Sequence, residues 1–488
     1  MAEVIIDLKS LLNISMRKFP ILIFLCLLLI KADGQIAYRM QLLSNWNNPN
    51  LNKVDSINIW NDLVGFYDST TKREYIIAGS TDSIYFFDVT IPTQIKLIDV
   101  EYGSVKGVIN RDYEIYQHYV YCVADQNRSS MQIYDLQYLP DSAHKVYEDS
   151  SLAINTHSIF IEAKSKRLYM CANKYANWVN GNSKESAMDI ISLEDPEHPK
   201  FLAKLYVPVR SNGDAAFRWV HESHVRNDTA YLSCGYAGLY IYDLRDLNNQ
   251  QIIGSIVNYP KSGYNHSSWL NKNGNYIMFT DEVPAGLDVK IYDISIIQAP
   301  RQESMFVSNI GATPHNAYWF GDFAVVSYYS DGVYLFNIAN TKNPQMAAYY
   351  DTYPQNAKNQ YPLPYAGCWG VWPFLPSGNI IASDRTNGIF VLKADSGILN
   401  DKTENLTSFI NIYPNPASTD LNIALETNYN DNYSVRITDL FGKEIKTFKH
   451  QFKSNYLYTE SISDLSNGLY ILELNGSKTS LKQKFLKQ

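Results

Sequence analysis

Apolar positions in this chain come in short dense runs, and the runs return. One phrase of apolar residues closing on a polar turn recurs along the chain. It reads SIYFFDVTIP from Ser83, SMQIYDLQYL from Ser130 and AMDIISLEDP from Ala187. It returns as GLYIYDLRDL from Gly238, DVKIYDISII from Asp288, GVYLFNIANT from Gly332 and GIFVLKADSG from Gly388. The starts lie roughly fifty residues apart, a period of propellers and solenoid arrays. β-Branched and aromatic residues dominate each phrase, so each predicts a strand running into a turn.

The neighbours of each phrase repeat as well. Just upstream lies a second apolar run: EYIIAGS, YVYCVAD, RLYMCAN, TAYLSCG, NYIMFTD, FAVVSYY or NIIASDR. A weaker strand precedes it, such as THSIFIEA from Thr156 or HNAYWFGD from His315. Downstream comes a fourth, such as IKLIDVEY from Ile95 or QMAAYYDTY from Gln345. Four strands per repeat make a propeller blade, so the pattern predicts an all-β fold with a seven-bladed β-propeller. The last phrase has no fourth strand after it, only the polar stretch Ile398 to Ser408. The segment IAYRMQLLSNW from Ile36 is the spare strand that would complete that blade and remove two open sheet edges. The third unit carries an insertion, KYANWVNGNSKES, and the seventh a Pro-rich approach, YPQNAKNQYPLPYAG.

From Phe409 the pattern changes. INIYPNPASTDLNIAL, YSVRITDLFGKEIKTF and ISDLSNGLYILELNG read as short strands cut by NP, FGK and NG turns, which predicts a small C-terminal β-sandwich. The expected organisation is a signal peptide over 1–34, a propeller over 35–397, a linker over 398–409 and the C-terminal domain over 410–488.

The leader rests on Met16-Arg17-Lys18, an apolar core from Phe19 to Ile30, and Ala32-Asp33-Gly34 before Gln35. That is a charged, an apolar and a cleavable region in order, and residues 1–15 read as an upstream start. The apolar core is short of the roughly twenty residues a membrane span needs, so the mature chain is expected to have no transmembrane span. A net charge of −7 without a basic run argues against nucleic acid as a partner. Cys122, Cys171, Cys234 and Cys368 are scattered, and equivalent positions in different blades are too distant to bridge, so buried thiols are expected, with disulfides as the alternative in an oxidising compartment.

Two resemblances follow from these residues. Tyr413-Pro414-Asn415-Pro416, the turn Asp439-Leu440-Phe441-Gly442-Lys443, Gly468-Leu469-Tyr470 and a lysine-rich last strand with Lys482 resemble the C-terminal sorting domain of the type IX (Por) secretion system of Bacteroidetes. This implies the type IX machinery as a partner and a destination at the outer-membrane surface or in the medium. The repeats resemble the LVIVD β-propeller repeat, best in Gly238-Leu239-Tyr240-Ile241-Tyr242-Asp243, and His315 through Leu392 resembles the choice-of-anchor B surface proteins. Neither implies an activity or a catalytic residue.

The candidate chemistry lies at the first strands, which line the channel of a propeller. His157, His224, His266 and His315 each begin or precede one, and His221 could join them. Convergent imidazoles suit zinc, copper or iron, so a divalent metal is the candidate cofactor; the other reading is that they hydrogen-bond between blades. HESH lacks the spacing of a helical zinc motif. Asp82, Asp125, Asp281, Asp331 and Asp384 each follow a second strand and are expected in rim turns, with a cation site as the alternative. Trp219, Trp269, Trp319, Trp369 and Trp372 fall on or near first strands, Trp178 in the insertion. There is no GxSxG, GxxxxGK[ST], GxGxxG or CxxC. The expected function is a non-enzymatic binding module for a protein or glycan; the alternative is a secreted hydrolase or lyase with a metal in the channel.

Overall fold

The structure, a computed structural model, describes residues 36–177, 182–356, 361–395, 398, 409–413, 417–426, 431–440, 442–452, 456–476 and 480–488. The expected signal peptide, Trp178, linker residues 399–408 and Pro414-Asn415-Pro416 lie outside the described residues. The chain divides into two compact units, up to Ile398 and from Leu399.

Among the described residues, the first unit forms seven antiparallel sheets of strands taken in chain order. The first sheet is typical: Trp60–Asp68, Arg73–Ser80, Ser83–Asp88, Lys96–Tyr102. Burial explains why its strands read as they do. Ser83–Asp88 is buried at every position, and Arg73–Ser80 at all but the first, because both faces of the sheet are covered. Lys96–Tyr102 is largely half-buried or exposed and carries the charges of an outer edge. The first strands of successive sheets neighbour one another, and Cys368–Trp372 of the last neighbours Trp60–Asp68 of the first, so the circuit closes. The sheets bury apolar clusters between them, such as Val64, Ile77 and Phe86 against Val120 and Tyr134.

The spare strand falls where the pattern requires. Met40–Trp46 pairs antiparallel with Gly388–Ala394, from Met40 opposite Ala394 to Trp46 opposite Ile389. Two details mark it as a true fourth strand. In all seven sheets described, the pairing of third and fourth strands carries a register shift; here it lies between Leu42 and Ser44. A bulge of this kind twists the outer edge. Gly238, Gly332 and Gly388 all open third strands at positive φ, and a Cβ there would stand 2.5, 2.2 and 2.2 Å from the carbonyls of Ile256, Tyr350 and Trp46. Trp46 of the N-terminal strand thus occupies the place that Ile256 and Tyr350 occupy in ordinary sheets. The sequence did not anticipate one further contact: Ala37–Tyr38 pairs with Tyr350 and Tyr349 of the sixth sheet, so the first described strands bridge two sheets.

The rim aspartates are structural ties. Asp82 accepts from the Gly107 amide (2.8 Å), and Asp331 from Ser308 (2.7 Å) and Tyr361 (3.0 Å). Asp281 forms an ion pair with Lys290 at 2.8 Å, both side chains fully buried. Asp88, Asp135, Asp243 and Asp293 each accept from the amide two residues on, as aspartate turns do. Asp384 is fully buried and accepts from Thr352 Oγ1 and the amides of Thr386 and Asn387, yet burial outweighs these bonds and lifts its pKa to about 7. A raised carboxyl pKa favours folding fully below the unfolded value of about 4 and loses that contribution as pH climbs to 7. Asp384→Asn should therefore melt close to the parent at pH 4 and above it at pH 8, as thermal denaturation at the two pH values would show. An equal offset at both would refute the assignment.

Cys122, Cys171, Cys234 and Cys368 are buried free thiols. Among the described residues, the second unit has one three-stranded sheet (Phe409–Tyr413, Asp420–Glu426, Tyr456–Ser461). Its four-stranded sheet runs Glu444–Phe452, Asp431–Asp439, Gly468–Asn475, Ser480–Lys487. Leu421, Ile423, Tyr433, Val435, Leu472 and Phe485 form its own buried core.

Candidate functional site

The first strands carry the site because several of them bulge. Register shifts fall between Trp60 and Leu63, Asn265 and Ser268, Pro314 and Ala317, and Cys368 and Val371. The residues inside these bulges include Asp62, His266, His315 and Trp369. A bulge re-aims the side chain that it contains, and four sheets carry one in the first strand.

His157, His221, His266 and His315 follow one another in an arc, with ring centroids 4.0, 4.3 and 4.3 Å apart. The Trp369 ring continues it, 4.3 Å from His315. His224 is not among them. It sits three residues beyond His221, roughly 10 Å along a strand, wedged between Phe160 (5.1 Å) and Trp269 (4.4 Å). Both its ring nitrogens lack a hydrogen-bond partner, and burial pushes its pKa down to about 3. It is a packing residue, and the fourth sheet contributes His221 in its place.

The arc is anchored through Nδ1. His157 Nδ1 meets Asp125 Oδ2 at 2.7 Å, His221 Nδ1 the His266 carbonyl at 3.3 Å, and His315 Nδ1 the Trp369 carbonyl at 2.9 Å. A carbonyl only accepts, so Nδ1 of His221 and His315 carries the proton and Nε2 keeps its lone pair. These bonds also join neighbouring sheets, as the alternative reading of the histidines anticipates. Burial pushes the pKa of His221 and His315 well down and that of His266 to about 4. All three are neutral imidazoles at neutral pH.

A cavity of about 380 Å³ opens over the arc, with Tyr236, Tyr264, Glu282 and Trp369 also in its wall. Tyr236 is 72% exposed and stands edge-on to Tyr264, which stands edge-on to His221. A second, smaller space of about 70 Å³ lies against His157 and His315 and is lined by Asp62, Asp112, Glu114 and Glu222. Burial raises all four carboxyls: Glu114 to about 8, Asp112 and Glu222 well up, and Asp62 likewise, with an Asp62–Asp112 hydrogen bond between them. Burial thus favours the neutral carboxyl on this side, whereas the other side offers imidazole lone pairs. Trp269 and Trp372 line the acidic space, whereas Trp219 lies 4.3 Å under the Arg218 guanidinium and Trp319 stacks on Tyr276.

In the second unit, Gly442 takes φ 80° in the turn closed by the Asp439 and Lys443 backbones. Tyr470 is buried, stacks on Phe485 and donates to the Ser466 carbonyl at 2.9 Å. Gly468 opens its strand, and Lys482 pairs with Glu473 at 2.6 Å. Residues 411–488 match the secretion system C-terminal sorting domain. The sorting domain indicates type IX secretion, with delivery to the cell surface or beyond. No curated protein matches the chain. Among solved structures, the WD40 repeats of RRP9 are similar at 11% identity and a TM-score of 0.44, over 72% of this chain and 96% of that one. The WD40 β-propeller domain of Doa1 is similar at 10% identity and a TM-score of 0.48, over 74% and 98%. Among the described residues the regular elements are all β-strands, most of them in four-stranded antiparallel sheets. Among the described residues, no helix is long and apolar enough to cross a membrane.

Proposed function

We propose that this chain is an exported seven-bladed β-propeller of the LVIVD, choice-of-anchor B kind, followed by a β-sandwich sorting domain. In this reading the leader over 1–34 is removed, and the propeller acts outside the cell as a non-enzymatic binding module for a protein or glycan. Its ligand enters the cavity over the histidine arc. The observation that carries the reading is that cavity: about 380 Å³, walled by aromatic rings and by fixed polar atoms on a rigid ring. Such a mixture grips a planar or sugar-like group by stacking and orients it by hydrogen bonds. The second reading, a hydrolase or lyase, is favoured by one feature, the His266–Glu282–His315 group; the arc itself holds no nucleophile hydrogen-bonded to a base.

The test is a glycan and peptide array probed with the purified exported chain, followed by titration of the hits. Tyr236→Ala should weaken the authentic hit roughly ten-fold, the loss of one stacked ring, with no change in melting because Tyr236 is 72% exposed. A hit indifferent to Tyr236→Ala, or turnover of the ligand rather than binding, would overturn the module reading.

A further inference from the structure

We propose that the imidazoles of His266 and His315 and the carboxylate of Glu282 hold one divalent transition-metal ion, its remaining coordination positions open to the cavity. This rests on the channel mouth being the site.

The ligand atoms of the three residues lie within 4.8 Å of one another, with His266 Nε2 to Glu282 Oε2 at 4.0 Å. Two ligands of one zinc-like ion stand roughly 3.4 Å apart, given metal–ligand bonds of about 2.1 Å in a tetrahedron. The group is therefore about an ångström open, within the reach of small side-chain rotations. Each ligand already has the outer support that metal ligands need. His315 donates Nδ1–H to the Trp369 carbonyl and so presents Nε2. Glu282 Oε1 accepts from the Tyr329 hydroxyl, which leaves Oε2 for the ion.

His266 supplies the independent observation. It is 2% exposed, yet its Nδ1 has no hydrogen-bond partner; the Glu222 carboxyl stands 3.6 Å away. An orphaned buried ring nitrogen is costly. A cation on Nε2 resolves this, since it fixes the proton on Nδ1, strengthens its donation and draws the Glu222 oxygen in. His221, Glu222 and His266 form a second group within 4.8 Å. Glu222 lines the acidic space and not the cavity, whereas Glu282 lines the cavity, where coordination positions stay open. The low pKa values of His266 and His315 support the geometry, because a ligand imidazole must be unprotonated. Two imidazoles and one carboxylate suit zinc, cobalt, copper or iron better than calcium or magnesium.

The test uses the full exported chain, stripped by chelator and titrated with Co²⁺ while its visible absorption is recorded, then displaced with Zn²⁺. One ion per chain is expected. Glu282→Gln, nearly isosteric, should weaken binding by roughly a hundred-fold or more as a lost ligand, and Tyr329→Phe and Glu222→Gln by about ten-fold as lost outer supports. His198→Ala, on an exposed imidazole, should change nothing. A folded chain that takes up no cobalt overturns the proposal, and so does unchanged affinity in Glu282→Gln. A larger loss in Glu222→Gln than in Glu282→Gln also overturns the ligand set. The titration needs no glycan or peptide. A chain that binds cobalt but no array ligand keeps this proposal and defeats the module reading, and the converse result does the reverse.

Discussion

A chain lacking residues 36–46 should fail to fold into a stable propeller, although the deletion removes only a terminal segment. Met40–Trp46 supplies the whole fourth strand of the last sheet. Met40 is buried among Val333, Leu335, Phe390 and Leu392. The Trp46 ring packs 5.6 Å from Trp60 and 5.0 Å from Phe87 of the first sheet. The segment therefore ties the end of the ring to its beginning. Its ladder bonds are worth about 1 kcal/mol each, and its partly buried apolar side chains about 1–2 kcal/mol each. Together that is roughly 5–10 kcal/mol, the size of a typical domain's entire stability. The deletion also bares Gly388–Ala394 as an apolar open edge, a template for aggregation. Soluble yield and thermal melting of the purified variant are the measurements; a soluble product melting within a few degrees of the parent would refute the latch.

The same strand shows what the linear pattern can reveal. Repeats display a missing part by its absence elsewhere, so a spare strand at one end and a gap at the other could be matched before any coordinates. Ladders are local and periodic, and burial on both faces writes itself as unbroken apolar runs such as EYIIAGS. The site was less legible. His157, His266 and His315 were found because each stands at the start of a first strand. The fourth sheet offered two histidines three residues apart, and alignment by strand start alone chose His224. A finer signal was present: His157-Ser158, His221-Glu222, His266-Ser267 and His315-Asn316 each pair a histidine with a following polar residue, which would have selected His221. Asp62, Asp112, Glu114, Glu222 and Glu282 carry no such mark. They come from first strands of separate sheets, or from just beyond a second strand in the case of Glu282, and only the closure of the ring brings such distant residues together. The bridging pair Ala37–Tyr38 was hidden for a similar reason, since two residues make no pattern.

Loss of export without loss of stability is the expected result of removing the sorting domain. Its described core, from Ile412 to Phe485, is a cluster of its own residues, so a chain ending near residue 398 should keep the parent's propeller melting transition. What it loses is the folded signal. The last strand, Ser480–Lys487, is paired along its whole length with Gly468–Asn475, and it buries Phe485 against Tyr470. Removing residues 480–488 alone takes away that pairing and leaves the Val435, Leu472 and Leu474 core uncovered on one side. Large-to-small changes in such a core already cost several kcal/mol, and losing a whole strand costs a small domain more than it can bear. The short deletion should thus block delivery as completely as the long one. Lys482→Gln, which removes the exposed partner of the ion pair with Glu473, should cost the domain about 1 kcal/mol and leave it folded. Immunoblots of surface, medium and periplasmic fractions would measure all three. Full accumulation in the periplasm is expected for both deletions. Surface display of the short deletion at the parent level would show that recognition does not require the folded domain.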